Sequence, residues 1–283
     1  MKKRLCLIFL IPLLISFSTT AQTAASLFRI SDSLQVAEVV SDKADMKSEV
    51  GHMGPAVENS HMAMRLIFDD SGAIDVYSKS GRGMELELYK WYPSARMRES
   101  AGVGADVYET GNTLGLGGVA LWDGEKVVRL AATKGRTARI GDTKKGAYAE
   151  IVAYGVEYKG DLVDVAVRVE MTAKSRIANI TARTLGGEKV VFVTGVNFHE
   201  GQKLIEGEGY VAVWGKHPSE GSQINVGAGM FYSVKDFPTL KKTEDMILLI
   251  SEASDKIDTK VLSSSSMEAE LNTAKRFEAY MAK

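Results

Sequence analysis

The sequence predicts an all-β fold: a large antiparallel β-sandwich with one C-terminal α-helix. Three observations point there. Apolar and polar residues alternate with a period near two along most of the chain, as where Met64, Leu66 and Phe68 are separated by Arg65 and Ile67. Short turn sequences such as Asp123-Gly124 and Lys159-Gly160-Asp161 separate the alternating runs. No helical segments stand between the runs, and parallel strands would need them as crossovers.

The first residues are set apart from the fold. A basic start, Lys2-Lys3-Arg4, leads into an apolar run from Leu5 to Phe17 and then to Thr19-Thr20-Ala21. That pattern predicts a secretory signal peptide over 1–21. The apolar run is shorter than a membrane-spanning helix needs. Residues 22–283 are predicted to form one β-sandwich domain, and the mature chain to have no membrane segment. Cys6 is the single cysteine of the 283-residue chain. A cysteine nucleophile or a disulfide in the mature part is therefore excluded, and core burial must supply the stability.

One strand is expected within Ser26–Val40, anchored by Leu34, Val36 and Val39, with a loop over 41–54. Residues 62–68 and 74–77 read as a hairpin around Asp69-Asp70-Ser71-Gly72. Met84 to Tyr89 alternates as a strand. Runs 119–122 and 126–130 flank Asp123-Gly124, and 148–158 and 162–171 flank Lys159-Gly160-Asp161. Runs 176–184 and 189–194 flank Gly186-Gly187, and 210–214, 224–232 and 246–250 complete about a dozen strands. Two stacked antiparallel sheets bury that many alternating faces. At the C-terminus, Ser263–Ser266 offer an N-cap, and Met267, Leu271, Ala274, Phe277 and Met281 recur at helical spacing, which predicts a helix over about 266–282.

Charge and motifs narrow the function. Lys and Arg total 35 against 36 Asp and Glu, and loss of the basic start would move the formal charge from −1 to −4. A nucleic-acid partner would need a basic excess. Gly115-Leu116-Gly117-Gly118 imitates a dinucleotide fingerprint, but a strand and not a helix follows it, so these glycines read as close backbone contacts. The four histidines, His52, His61, His199 and His217, form no local metal pair, and no metal or other cofactor is predicted.

Three segments hold candidate site residues. In an extended 61–65 segment, His61 and Arg65 share one face, opposite Met62, Met64 and Leu66. An imidazole moves protons near neutral pH, and a guanidinium holds a carboxylate or sulfate in a paired fork. A solvated strand face is the plainer reading. His199 lies in Asn197-Phe198-His199-Glu200-Gly201, after an apolar strand. Trp214-Gly215-Lys216-His217 and Trp122 offer aromatic faces suited to sugar rings, although tryptophan is more often core. Lys79 faces either solvent or a cleft.

These residues resemble a secreted bacterial family catalogued as domain of unknown function 4861. The likeness is carried by Glu58-Asn59-Ser60-His61-Met62-Ala63-Met64-Arg65-Leu66-Ile67-Phe68 and Ile74-Asp75-Val76-Tyr77-Ser78-Lys79. It continues in Gly104-Ala105-Asp106, Gly111 to Gly118, Leu121-Trp122-Asp123-Gly124, Thr194-Gly195-Val196 and Trp214-Gly215-Lys216, and covers about residues 30–283. The family often has a histidine or an acidic residue where Ser60 stands, and Gly-Pro where Gly146-Ala147 stands. The resemblance implies a galactose-mutarotase-like supersandwich and a carbohydrate-active protein. It further implies a lyase or dehydratase acting on uronic-acid-containing oligosaccharides, with an oligosaccharide as partner. Under that reading His61 is base or acid, Arg65 or Lys79 clamps the carboxylate, and His199 is a reserve acid. Asn59, Asp106, Trp122, Trp214 and His217 are substrate-binding candidates. A non-catalytic carbohydrate-binding protein and a sugar hydrolase or epimerase on the same scaffold are the alternatives.

Overall fold

The computed structural model of the protein describes residues 22–219 and 222–283; the predicted signal segment lies outside them. The strands are β1 (Thr23–Ser26), β2 (Glu38–Ser41), β3 (Ala56–Asn59), β4 (Ala63–Leu66), β5 (Ile74–Tyr77), β6 (Ala120–Trp122), β7 (Val127–Val128), β8 (Arg136–Asp142), β9 (Gly146–Tyr158), β10 (Asp161–Thr172), β11 (Ala178–Thr184), β12 (Val190–Asn197), β13 (Lys203–Gly207), β14 (Tyr210–Lys216), β15 (Asn225–Phe231), β16 (Thr239–Lys242), β17 (Met246–Ser254) and β18 (Lys256–Ser265). Three α-helices join them: α1 (Leu86–Tyr89), α2 (Ala95–Ala101) and α3 (Ala274–Met281).

Strand neighbours within each sheet pair antiparallel. One sheet of nine strands runs β13-β14-β15-β18-β11-β10-β9-β8-β2, one of five runs β16-β17-β12-β6-β7, and one of four runs β1-β3-β4-β5. Alternation builds the core. Val163, Val165, Val167, Val169 and Met171 of β10 join a single apolar cluster with Phe192 and Val196 of β12 and Met64 and Leu66 of β4. That cluster contains residues from all three sheets, so the nine-stranded sheet packs its inner face on the other two. The outer face of its β14–β15 end is covered by α3. Phe277 and Met281 sit there with Trp214 and Leu262, over Gly227 and Gly229, where a Cβ would lie within 2.8 Å of the Phe277 ring and 2.6 Å of the Met281 sulfur.

The Gly115–Gly118 segment stitches two sheets together. Gly115 bridges Ile74, and Leu116 bridges Val196. Gly115 has φ +68°, and a Cβ there would lie 2.1 Å from the Ile74 carbonyl oxygen. The glycines therefore serve close backbone approach, as expected from the sequence.

Several expected elements differ. Residues 84–89 form no strand but lead into α1, because the Glu58 carboxylate accepts from the Glu85 and Leu86 N–H groups and caps the helix from a distant strand. The runs around Gly186-Gly187 are not a hairpin. β11 belongs to the nine-stranded sheet and β12 to the five-stranded one, so the chain changes layer there. Ser263–Ser265 lie inside β18, paired with Ala228, Gly227 and Val226 of β15. The terminal helix starts later, at Ala274, with the Thr273 side chain accepting from the Arg276 N–H. Within Ser26–Val40 the chain forms the end of β1 and the start of β2, joined through a Phe28–Gln35 bridge.

Candidate functional site

Two neighbouring strands and one crossing segment build a charged cleft. Arg65 on β4 stands directly opposite Asp75 on β5. Both side chains are only 3% exposed, and the guanidinium Nε donates to Asp75 Oδ2 over 2.9 Å. Arg65 also donates to the Tyr92 hydroxyl over 3.1 Å and to Asp106 Oδ2 over 3.2 Å. The Trp91 ring covers it, 4.5 Å away. The face of β4 that carries Arg65 is thus roofed by Trp91 and Leu86, which pack on Ala63 and Tyr77; it is not a solvated surface.

Residues 105–112 form the second wall. Ala105 exchanges hydrogen bonds with Ser78. Further on, the Glu109 N–H donates to His217 Nδ1 over 3.0 Å. The Glu109 carbonyl accepts from Asn197 Nδ2 at 2.7 Å and from His199 Nε2–H at 3.0 Å. Two histidines from loops after β12 and β14 therefore hold the backbone of Glu109, an exposed residue that lines the cleft. The cleft has a volume of about 360 Å³ and is lined by Lys47, Arg65, Asp75, Asp106, Glu109 and Arg129 among others. That size lies within the usual range for small-molecule sites.

The charges differ in how they are engaged. Lys47 is paired with Asp69 at 2.8 Å. Arg65 serves Asp75 and Asp106. Arg129 is exposed and donates to the Asn112 carbonyl; among the described residues it has no carboxylate partner. Burial pushes Asp75 up to about 6, against the pull of Arg65 and with a further push from Asp106. Burial likewise raises Asp106, with Arg65 opposing. Among the described residues no group of three or more His, Cys, Asp or Glu side chains is placed to hold a metal ion.

The candidates read from sequence are scattered by the fold. Arg65 and Asp106 meet in the cleft. His199 and His217 stand behind its wall: His217 is buried against the Tyr108 ring at 4.4 Å and the His199 ring at 4.7 Å. His61 lies elsewhere. It is half-buried, with the exposed Arg82 Nη1 lying 2.8 Å from the His61 Nε2, in a charged cluster with Arg176, Glu268 and Glu270 that lines no part of the cleft. Burial, with Arg176 and Arg82 adding to it, lowers its pKa to about 4. Lys79 cannot clamp a ligand, because its amino group is buried between Glu58 and the Asn59 carbonyl, both at 2.8 Å. Asn59 is fully buried, and its side chain shapes a turn by accepting from His61 and Met62 N–H and donating to Thr172 and Ser175. Trp214 is core, packed on Phe277, and Trp122 has Lys241 over its ring at 4.9 Å.

Asp75, Glu109 and Arg129 were not among the candidates. The predicted hairpin turn at 69–72 places Asp75 opposite Arg65, so an opposite-charge pair on one face was available as a signal. Glu109 and Arg129 had none, since only the fold brings them together.

An antiparallel β-sandwich with a polar cleft, bordered by paired and unpaired charges, defines the class. The chain belongs to the family described as "Domain of unknown function (DUF4861)", whose model matches residues 17–283. No curated protein matches it. Among solved structures it is similar to a 4-alpha-glucanotransferase from Thermococcus litoralis, at 13% identity and TM-score 0.35, covering 75% of this chain and 40% of that one. A protein from the human microbiome assigned as a kojibiose phosphorylase aligns at 10% identity and TM-score 0.43, over 87% of this chain and 34% of that one. A protein from Klebsiella pneumoniae assigned as an aldose 1-epimerase aligns at 8% identity and TM-score 0.39, over 92% and 95%. The chain thus spans well under half the length of the first two. No helix among the described residues is long and apolar enough to cross a membrane.

Proposed function

We propose that this is an exported carbohydrate-active protein whose cleft takes a uronic-acid-containing oligosaccharide, and that it acts there as a carbon–oxygen lyase. The observation that carries the reading is a guanidinium with no described carboxylate partner, Arg129, in the same sugar-sized cleft as two carboxylic acids in unlike surroundings, Asp106 and Glu109. Unlike environments for neighbouring carboxyls are how acid and base roles are separated.

In this scheme Arg129 holds the uronate carboxylate and stabilises the charge that develops on it. Glu109 removes the proton from the carbon next to that carboxylate. The carbon–hydrogen electron pair becomes the new carbon–carbon double bond. The carbon–oxygen bond breaks, and the leaving oxygen takes its electron pair and a proton from Asp106, whose burial favours the protonated form. Arg65 orients Asp106, while His199 and His217 orient Glu109. His61 has no part in this scheme, which departs from the expectation based on sequence.

Incubation with saturated uronic-acid oligosaccharides, which keep the proton next to the carboxylate, tests the proposal, with mass spectrometry reading loss of water or chain scission. Asp106→Asn is expected to lower kcat at least ~100-fold, and Arg129→Ala to weaken ligand binding at least ~10-fold. Binding without turnover in the parent would make this a carbohydrate-binding protein. An absence of both would remove the reading.

A further inference from the structure

The cleft does not end at Arg129. A second hollow of about 180 Å³ lies beyond it, lined by Leu114, Val127, Thr243, Asp245, Met246 and Leu248. Asn112 and Arg129 line both hollows. The tie between the Arg129 guanidinium and the Asn112 carbonyl therefore forms the sill between them. The two sides differ in chemistry. The larger hollow is ringed by charged groups. The smaller has an apolar floor from Leu114, Met246 and Leu248, three residues of a separate small core cluster, and a polar rim where the Thr243 hydroxyl donates to Asp245 over 2.9 Å.

We infer that the two hollows are consecutive subsites for one oligosaccharide, with its acidic group held at the Arg129 sill and a further, uncharged sugar ring laid over the apolar floor beyond it. This rests on the proposed saccharide reading and extends it to ligand length. A sugar ring has an apolar face and a hydroxyl edge, which match a floor of Leu114 and Leu248 and a rim of Thr243 and Asp245. A free anion or a single uronate would fill only the side with Arg129, Asp106 and Glu109. The smaller hollow lies below the usual size of an independent ligand site, so it makes sense as an extension of its neighbour.

Calorimetric titration with uronic-acid saccharides of one to four rings tests this. Affinity is expected to step up at least tenfold once the ligand exceeds the length that fills the charged hollow. Val127→Trp, which fills the second hollow, is expected to collapse the ratio of long-ligand to short-ligand affinity towards unity, and Thr243→Trp at the rim to do the same should the first variant fold poorly. An affinity independent of chain length, or a ratio that survives both fillings, overturns the two-subsite inference while leaving the saccharide reading intact. A lack of binding at every length overturns that reading and the inference with it.

Discussion

Lys79 shows how a residue that looks catalytic in sequence can belong to the frame. Its amino group and the Glu58 carboxylate are each 1% exposed at the side chain. The same carboxylate caps α1 through Glu85 and Leu86. Removing one member of a buried pair strands the other charge, which typically costs 3–5 kcal/mol. Lys79→Met is therefore expected to lower unfolding free energy by about 3–5 kcal/mol in urea titration. The double variant Lys79→Met/Glu58→Gln should lose less than the single one, because no bare carboxylate is left inside. A loss under about 1 kcal/mol together with abolished turnover would instead return Lys79 to the chemistry. Arg65 behaves differently although it too is buried, since Asp106 leaves its other side open to the cleft. Asp106→Asn should remove the like-charge push on Asp75 and bring that carboxyl down from about 6, measurable by NMR titration; an unmoved Asp75 would mean that the two carboxyls are not coupled.

At the level of elements, the sequence was readable where local pattern and tertiary demand agree. The hairpins β4–β5, β6–β7 and β9–β10 fell at their turn sequences, and at β9–β10 the Lys159 and Gly160 backbones adopt φ +52° and +92°, as a tight hairpin turn requires. Reading failed where a distant partner decides the local state. Residues 84–89 alternate like a strand, yet Glu58, more than twenty positions upstream, supplies a helix cap. Ser263–Ser265 resemble a cap, yet β15 claims their backbone. α3 was visible because Ala274, Phe277 and Met281 keep one face, and only its start was misplaced. Its docking depends on two glycines opposite Phe277 and Met281. Phe277→Ala is expected to cost about 3–5 kcal/mol, and Thr273→Ala, which removes the N-cap, about 1 kcal/mol. Equal effects from the two would mean that the helix gains little from its packing. The site itself was half legible: Arg65 and Asp106 stood in recognisable motifs, while Glu109 and Arg129 acquire meaning only once β12, β14 and the 105–112 segment converge.

Across the whole molecule, buried titratable groups set an acid limit on stability. Burial lowers His217 to about 3, with His199 adding to the effect. Burial also lowers His52 to about 4, with Arg65 adding to it. Each is neutral in the fold and charges readily once unfolded, so the unfolded chain binds more protons below the ordinary histidine value of 6.5. Their stabilisation is complete above pH ~6.5 and disappears as pH falls towards the folded values. Asp75 has the opposite sign. Its folded value of about 6 exceeds the ordinary 3.8, so its protonation favours the fold as pH drops through that window. His61, also lowered to about 4, acts with these two histidines, and the raised Asp106 and Glu85 act with Asp75. Three histidines, each displaced further than Asp75, set the net expectation of a protein that loses stability between pH ~6.5 and ~4. His217→Gln keeps a polar side chain near the Glu109 N–H but cannot take up a proton. It should be no more stable than the parent at pH 7.5, yet the fall in unfolding free energy between pH 6.5 and 4.5 should shrink by ~2 kcal/mol, because the unfolded imidazole is half protonated at the upper end of that window and almost fully at the lower. Parallel urea-derived profiles for parent and variant would show that His217 is solvated enough to protonate in place, and that the wall behind Glu109 is looser than its two histidine hydrogen bonds imply.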